Sequence, residues 1–262
     1  MASSVSGKVF VITGGGSGMG FATATLLLSR GSHLAVCDVN EDGLNALVER
    51  IDPAHRNGVI TRRVDITDRA AVRSFLQLAK DIFGRVDGIA NLAGTAGHRL
   101  GHEEIWQIDE KEYQFIMDVN VKGVFNLLSE ALHPGVLQEP GSFVHAASMF
   151  ADRGFAKGSV YSSSKHAGIG LVKSAAIEAG KRGIRVNIVS PGPIDTPMLR
   201  ANEESGAEGT APAVPLGRLG EASEVANVVA FLLSDDARYV TGATWALVVH
   251  YAHTKKLQSA PG

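Results

Sequence analysis

The sequence predicts an α/β fold, with a doubly wound parallel sheet of about seven strands and helices on both of its faces. Short, β-branched, apolar runs alternate along the chain with longer segments that have helical spacing. The first run, residues 8–13, leads into a glycine-rich turn, a helical segment and a second run at residues 32–38. Strand, turn, helix and strand in this order form the βαβ unit from which parallel sheets are built.

The later elements continue the same alternation. Strands are predicted at residues 59–64, 86–90, 143–148, 185–190 and 243–249. Helices are predicted at residues 21–30, 41–51, 69–83, 109–132, 161–181 and 221–233, with Asp68 as the N-cap of the third. Because no repeat, linker or second core is evident, we expect one domain over residues 1–262. Residues 195–215 have the small, acidic composition of a lid, and residues 250–262 are expected to form an irregular tail.

Composition excludes several classes of function. Hydrophobic content is 45% and charged content is 20%. The net charge is -2, so the chain has no general attraction to nucleic acid or an anionic membrane. No run approaches the ~18 apolar residues of a membrane span, and the N-terminus lacks the apolar stretch of a signal peptide. Cys37 is the only cysteine, which excludes an intrachain disulfide. These features predict a soluble, cytoplasmic protein without a nucleic-acid partner.

The turn after the first strand has the residues of a dinucleotide-binding loop. Its glycines let backbone amides approach a pyrophosphate, and the N-terminus of the following helix adds partial positive charge there. Asp38 ends the second strand, where its carboxylate would bind ribose hydroxyls and repel a 2′-phosphate. Because no cationic side chain follows Asp38 directly, the sequence favours NAD(H) over NADP(H) as the cofactor. The turn residues assigned to the cofactor are Gly14, Ser17, Gly18, Met19 and Gly20.

Further cofactor contacts are predicted at other strand ends, because ligands of open α/β sheets gather at the carboxyl ends of the strands. The residues assigned on this ground are Asp65, Ile66, Asn91, Ala93, Gly94, Pro191 and Gly192. Asp65 is placed to contact adenine but fits equally well as a turn residue. Gly94 permits a close approach of backbone to cofactor, and the proline-rich loop after the sixth strand would support a nicotinamide ring.

Tyr161 and Lys165 are the first candidates for chemistry. At the start of a helix, their spacing points the phenol and the ammonium the same way. A tyrosine with a pKa near ~10 is a poor base at neutral pH, and a nearby Lys⁺ would lower that pKa, which suits an alcohol or ketone substrate. Ser148, at the tip of the fifth strand, is placed to hold the substrate oxygen. The Y-x-x-x-K spacing alone is weak, because it occurs by chance in many solvated helices.

Several residues near this pair have more than one interpretation. Asn120 is a polar residue in an apolar helical segment, and a structural hydrogen bond and a proton relay fit it equally well. Trp106 suits a substrate wall or a core position. His98 and His102 have helical spacing but no evident third ligand, so we predict no metal site. The candidate substrate walls are Trp106, Met149, Phe150, Phe155 and Met198.

With these motifs in order, the chain resembles the short-chain dehydrogenase/reductase family over residues 7–242. Residues 13–20 are similar to its T-G-x-x-x-G-x-G cofactor turn, and residues 91–94 to its N-N-A-G element, with Leu92 in place of the second Asn. The positions that match its catalytic tetrad are Asn120, Ser148, Tyr161 and Lys165. The resemblance implies a Rossmann-type sheet in strand order 3-2-1-4-5-6-7.

The resemblance also implies a role for each matching residue. Tyr161 is then the general acid/base, Lys165 lowers its pKa and holds the nicotinamide ribose, and Ser148 polarises the substrate oxygen. Asn120 anchors a water that links Lys165 to solvent. The loop after the sixth strand adds Ile194 and Thr196 to the cofactor-binding residues, at the nicotinamide carboxamide.

Assembly and the C-terminal region follow from the same resemblance. Members of the family are usually dimers or tetramers, so the resemblance implies a homodimer or homotetramer built partly by the helices predicted at residues 109–132 and 161–181. Residues 245–251 depart from the family, because they stand where it has a V-D-G-G-type turn. This departure makes the C-terminal stretch a candidate for a pocket wall or a partner contact.

These residues predict an NAD(H)-dependent oxidoreductase that interconverts a lipophilic secondary alcohol, including polycyclic ones, and its ketone. The candidate walls hold no cationic cluster, which disfavours phosphorylated or carboxylate substrates. Oxidation is the expected direction because cellular NAD is mostly oxidised. Two alternatives stay open. One is an NADPH-dependent ketoreductase of the acyl-chain or polyketide type. The other is a non-catalytic dinucleotide-binding sensor or subunit, which would not need the intact catalytic residues.

Overall fold

The computed structural model describes residues 5–209, 211 and 213–248. The strands are β1 (Val9–Thr13), β2 (His33–Asp38), β3 (Val59–Arg63), β4 (Gly88–Asn91), β5 (Gly141–Ala146), β6 (Ile184–Ser190), β7 (Ile194–Asp195), β8 (Gly220–Glu221) and β9 (Thr244–Ala246). The helices are α1 (Gly18–Ser29), α2 (Glu41–Arg50), α3 (Arg69–Phe83), α4 (Glu110–Met117), α5 (Gly123–Ala131), α6 (Ser159–Ala179), α7 (Pro197–Glu204) and α8 (Ala222–Leu233). The predicted tail at residues 250–262 lies outside the described residues.

Seven strands form one parallel sheet in the order β3-β2-β1-β4-β5-β6-β9. This confirms the predicted fold class and strand order, with β9 as the seventh strand. The short strands β7 and β8 pair with each other in a separate sheet that the sequence did not predict. Strands β2 and β3 lie on one side of β1, and the chain then crosses to place β4 on the other side. Ligands of open α/β sheets bind in the crevice at such a reversal of strand order.

Helices cover both faces of the sheet. Successive side chains of a strand point to opposite faces, so Val11 of β1 joins one core cluster while Phe10 and Ile12 join the other. The first cluster packs under α3, α5 and α6, and the second under α1, α2 and α8. Among the helices of the described part of the chain, none is long and apolar enough to cross a bilayer.

The helix predicted at residues 109–132 is interrupted in the structure. α4 ends at Met117, a π-helical turn spans Asp118–Lys122, and α5 begins at Gly123. Asn120 lies inside this π turn, and such turns are frequent at functional sites. Gly123 packs against the loop after β3, where a Cβ would lie 2.6 Å from Cδ1 of Ile66 and would displace that side chain.

The predicted lid begins as a helix. Thr196 caps α7 by accepting a hydrogen bond from the Leu199 amide, at 3.4 Å. Beyond α7, the Glu208 amide donates to the carbonyl of Gly101 at 3.1 Å, and His102 Nε2 lies 3.0 Å from Ser205 Oγ. The lid is therefore attached to the loop at residues 95–108, which the sequence left without a structural role.

Candidate active site

A cleft of about 350 Å³ opens at the carboxyl ends of the central strands. Predicted cofactor residues that line it are Gly14, Ser17, Gly18, Met19, Gly20, Asp38, Asp65, Ile66, Ala93, Gly94 and Thr196. The sequence did not assign Phe115 and Val119 to this cleft, although both are apolar residues of the helical segment that also holds Asn120. Pro191, Gly192 and Ile194 line the adjoining cavity in front of Tyr161 instead.

The glycine turn leaves no room for side chains where it passes under the cleft. Gly14 has φ +69°, and a Cβ on it would lie 2.6 Å from the amide nitrogen of Ala93. A Cβ on Gly20 would lie only 1.9 Å from the carbonyl oxygen of Gly14. Together with the N-terminus of α1, this close-packed backbone fits a pyrophosphate, which amides and a helix dipole bind. The residues present therefore fit a dinucleotide.

Asp38 presents a fixed carboxylate at one end of the cleft. Its Oδ2 accepts a hydrogen bond from the Gly16 amide and its Oδ1 from the Asn40 amide, each at 2.9 Å. No Lys or Arg is among the described residues that line this cleft. The neighbouring Arg63 donates from Nε to the carbonyl of Val39 at 3.1 Å. The cleft is thus anionic at the position where the sequence places the ribose.

Ser148, Tyr161 and Lys165 come together beside this cleft, at the end of β5 and the start of α6. The Ser148 hydroxyl is hydrogen-bonded to the Tyr161 hydroxyl. Lys165 is buried, with Nζ 5.7 Å from the centre of the Tyr161 ring, and it donates to the carbonyl of Ala146 at 3.3 Å. Gly94 makes this approach possible, because a Cβ there would lie 3.1 Å from Nζ of Lys165.

The electrostatics of this group differ from the prediction that Lys165 lowers the pKa of Tyr161. Burial raises the pKa of Tyr161, and the hydrogen bond from Ser148 is what opposes that rise. Burial also lowers the pKa of Lys165 to about 8, so its ammonium is less stable than on the surface. Its nitrogen lies over the ring rather than at the phenolic oxygen. In this structure, the Ser148 hydroxyl is the group that favours the phenolate.

This balance predicts the effect of Ser148→Ala on the pH profile. Without the Ser148 hydroxyl, the pKa of Tyr161 rises further, so the phenolate needed to accept a proton forms at higher pH. We expect the rising limb of kcat/KM for alcohol oxidation to move to higher pH in the variant, in addition to a lower maximum. Rates measured from pH 6 to about 10.5 would show this shift, and an unmoved limb would contradict the role of Ser148.

Asn120 uses its side chain to join two elements of the site. Its Oδ1 accepts from the Thr95 amide at 2.9 Å, and its Nδ2 donates to the Thr95 carbonyl at 2.8 Å and to Ser164 Oγ at 3.0 Å. The Ser164 hydroxyl in turn donates to the carbonyl of Tyr161 at 2.7 Å. These bonds agree with the structural interpretation of Asn120. The water relay implied by the resemblance stays a prediction.

His145 is a buried residue of the site that the sequence analysis missed. The side-chain Nδ2 of Asn91 lies 3.2 Å from Nδ1 of His145. Because the NH₂ group of an asparagine side chain only donates, this contact fits the neutral tautomer with its proton on Nε2. Burial and the nearby Lys165 lower the pKa of His145 to about 3, which keeps the ring uncharged. Its Nε2 has no hydrogen-bond partner in the described structure. A histidine inside an otherwise apolar strand was the signal available in the sequence.

Asn91 is placed below the cleft rather than in it. It is fully buried, and its Oδ1 accepts from Thr13 Oγ1 at 2.7 Å. Thr13 Oγ1 accepts from the amide of Ala93 at 3.3 Å. Asn91 therefore fixes the backbone that borders the cleft, and it is not among the described lining residues.

A smaller cavity, of about 110 Å³, lies in front of Ser148 and Tyr161. Three of the predicted substrate walls, Met149, Phe150 and Met198, line it. Phe155, also predicted as a wall, is not among the described lining residues and packs against Phe150, with ring centres 4.0 Å apart. The cavity also has Leu100, Leu199 and Asn202 in its lining, which the sequence did not assign.

The structure contradicts both interpretations of Trp106, as a substrate wall and as a core residue. Its exposed fraction is 78%, and it is absent from the described lining of the cavity, so it is neither a core residue nor a wall. It lies in the loop before α4, where local sequence does not determine which side chains turn inward. The two histidines of the same loop have different partners. His98 Nδ1 lies 2.8 Å from Glu112 Oε2, whereas His102 contacts Ser205.

The sequence and the fold both match known proteins. A family model described as Enoyl-(Acyl carrier protein) reductase matches residues 14–247. The short-chain dehydrogenase/reductase aba4 of Botryotinia fuckeliana is 43% identical over 242 residues, which cover 90% of this chain and 93% of that protein. The chain belongs to the short-chain dehydrogenase/reductase family. It is accordingly an oxidoreductase of a family that binds a nicotinamide dinucleotide.

Other members of the family are similar along nearly their whole length. Levodione reductase of Leifsonia aquatica is 38% identical, with 89% of this chain and 90% of that protein covered. The crystal structure of a levodione reductase matches with a TM-score of 0.83, at 34% identity, and covers 95% of this chain and 97% of that one. The 3-oxoacyl-[acyl-carrier-protein] reductase FabG of Thermotoga maritima is 34% identical over 90% of this chain and 94% of that protein.

Proposed function

We propose that the protein is an NAD(H)-dependent dehydrogenase that interconverts a lipophilic secondary alcohol and its ketone, with oxidation as the favoured direction. The observation that carries the cofactor choice is Asp38, whose carboxylate is held by two backbone amides at the end of the cleft. A 2′-phosphate would meet this negative charge without a compensating cation among the described lining residues. The unphosphorylated ribose of NAD has hydroxyls that donate to a carboxylate.

The proposed mechanism assigns one task to each catalytic side chain. Tyr161 accepts the proton of the substrate hydroxyl, and Ser148 holds the substrate oxygen beside it. Lys165 binds the nicotinamide ribose, and Asn120 holds Thr95 and α6 in place through its hydrogen bonds. The bound nicotinamide supplies the hydride acceptor. In the reverse direction, Tyr161 donates the proton to the ketone oxygen.

The substrate class follows from the cavity in front of Tyr161. Its lining is mainly apolar, with methionine, leucine, proline and phenylalanine side chains, and none of the described residues that form it is cationic. Apolar walls with a few polar groups are typical of sites for small lipophilic ligands. The relative from Leifsonia aquatica is a reductase named for a dione, which supports the same class here.

An NADPH-dependent ketoreductase of the acyl-chain type is the second candidate, because FabG proteins are among the relatives. Assays of lipophilic secondary alcohols with NAD⁺ and NADP⁺, and of their ketones with NADH and NADPH, separate the two candidates. Strong preference for NADPH, with an acyl thioester as the better ketone, would replace our proposal by this alternative.

Removing the Asp38 carboxylate is expected to relax the cofactor preference. In Asp38→Ser, we expect the ratio of kcat/KM for NAD⁺ over NADP⁺ to fall by about tenfold or more, because repulsion of the 2′-phosphate and the ribose hydrogen bonds are both lost. The matched control is Asp42→Ser, which removes an equal charge from an exposed position in the first turn of α2. An unchanged ratio in Asp38→Ser would exclude Asp38 as the selective group.

We also propose a cytoplasmic homodimer or homotetramer with one catalytic domain per chain. Helices α4, α5 and α6, which the family resemblance assigns to the interface, carry exposed apolar side chains. These are Tyr113, Phe125 and Ile177, with exposed fractions of 46%, 46% and 82%. Exposed apolar patches mark association surfaces in soluble proteins.

A further inference from the structure

The cavity in front of Tyr161 has one polar side chain that the proposed mechanism does not use. Asn202 lines it from the lid helix α7. The remaining polar side chains of the described lining are Ser148, Tyr161 and Thr196, and Thr196 Oγ1 donates to the Ile194 carbonyl at 3.2 Å while it caps α7. Asn202 is therefore the polar group left to recognise part of a substrate.

The backbone of Asn202 is fixed, while its amide is free. The Asn202 carbonyl accepts from Ser205 Oγ at 2.7 Å and from the Ala207 amide at 2.9 Å. Its side chain makes no hydrogen bond to any residue of the described ranges, although it is half-buried beside apolar walls. Met198 and Leu199 share its helix face, since residues three and four apart lie together. A substrate oxygen that enters the cavity can therefore pair with this amide in place of water.

Size restricts the ligand further. At about 110 Å³ the cavity is well below the ~300–1,000 Å³ of common ligand pockets, so it suits a single ring better than the polycyclic system that the sequence allowed. An amide offers both an N–H donor and a carbonyl acceptor, so it can bind a hydroxyl or a keto oxygen.

We infer that the substrate is a compact alicyclic alcohol or ketone with a second oxygen, and that Asn202 is the specificity residue that binds this second oxygen. The inference rests on the proposed function and names its substrate class. The first oxygen lies at Ser148 and Tyr161, where the proton is transferred, and the second is held from the lid. A ring with only one oxygen leaves the amide of Asn202 unpaired in the complex, and sites with an unpaired polar group discriminate against such analogues.

The test compares three alcohols with NAD⁺, namely cyclohexanol, cyclohexane-1,4-diol and the open-chain 2-octanol. For the wild-type protein we expect kcat/KM for the diol, counted per hydroxyl, to exceed that for cyclohexanol by about tenfold or more. In Asn202→Leu, which keeps a similar volume, this preference should fall to within about threefold, whatever the absolute rate with cyclohexanol becomes. Comparing the ratio between proteins cancels the intrinsic reactivity of the two alcohols.

Control proteins keep the result interpretable. Glu203→Gln alters the next, exposed residue of α7 and should retain the wild-type preference. Asn202→Ala provides a second variant, and NADH fluorescence titration should give unchanged cofactor affinity for both substitutions. Equal rates for diol and cyclohexanol in the wild type, or an unchanged preference in both variants, would overturn the inference. Turnover of 2-octanol alone would overturn it and leave the proposed function standing, whereas no turnover of any alcohol with NAD⁺ or NADP⁺ would overturn both.

Discussion

Replacing Tyr161 with Phe is expected to lower kcat for alcohol oxidation by about 10²- to 10⁴-fold, the range that general acid/base catalysis contributes. The Tyr161 phenolate accepts the substrate proton, and the Ser148 hydroxyl is hydrogen-bonded to the same oxygen. The ring itself stays in place through its contact with Phe150, at 6.5 Å between centres, so the cavity should keep its shape. NADH affinity, measured by fluorescence titration, should change by less than about twofold.

A matched control for this variant lies on the same helix. Ser163→Ala removes an exposed hydroxyl between Tyr161 and Lys165 that donates only to the Ser159 carbonyl, at 2.8 Å. We expect normal turnover from this protein. Unchanged turnover in Tyr161→Phe would remove Tyr161 from the mechanism. If the wild-type protein bound NADH but oxidised no alcohol and reduced no ketone, the non-catalytic alternative of a dinucleotide sensor would replace the proposed enzyme.

Most of the fold could be predicted because its signals are local. The boundaries of α3 are an example, since residues 69–83 were predicted and Arg69–Phe83 is observed. Asp68 acts as the predicted N-cap, with its side chain accepting from the amides of Ala70 and Ala71. Apolar runs likewise identify the strands, because a strand buried on both faces needs them along its whole length.

The errors arose where distant segments determine local structure. At the π turn Asp118–Lys122, Asn120 bonds to Thr95 and Ser164, which lie 25 and 44 residues away in a loop and a helix. Trp106 has the side chain of a wall or core residue, but its loop turns it outward. Neither outcome leaves a periodic pattern in the sequence, so neither could be derived from spacing.

The site shows the same division. The order of the elements, and not the Y-x-x-x-K spacing alone, placed Ser148, Tyr161 and Lys165 together, because strand ends and helix starts of a parallel sheet meet at one edge. The balance of pKa values was not accessible, since burial of Tyr161 and Lys165 is a property of the completed fold. Asn202 escaped notice for a similar reason, because its importance comes from what surrounds it in the cavity and from its lack of a partner among described residues.

Gly20→Ala is expected to damage both the cofactor turn and the stability of the protein. The added Cβ would lie 1.9 Å from the carbonyl oxygen of Gly14 and 3.0 Å from Cα of Gly15, so backbone and not a flexible side chain would have to move. Overpacking of this kind costs about 1–3 kcal/mol in the free energy of unfolding. Because the displaced turn is also the proposed pyrophosphate site, we expect NADH to bind about tenfold more weakly or worse. Chemical denaturation and NADH fluorescence titration measure the two effects.

Gly170→Ala is the control for Gly20→Ala, because it adds the same methyl group at a position with free space. Gly170 lies in α6, is exposed, and has no atom within 4 Å of a Cβ position. Alanine is the better helix former there by about 0.5–1 kcal/mol, so this control should unfold no more easily than the wild type and bind NADH normally. If Gly20→Ala behaved like Gly170→Ala in both measurements, the close contact between Gly20 and Gly14 would not support the cofactor turn. The difference between the two variants therefore isolates what the turn requires of its last glycine, which is the absence of a side chain where α1 approaches β1.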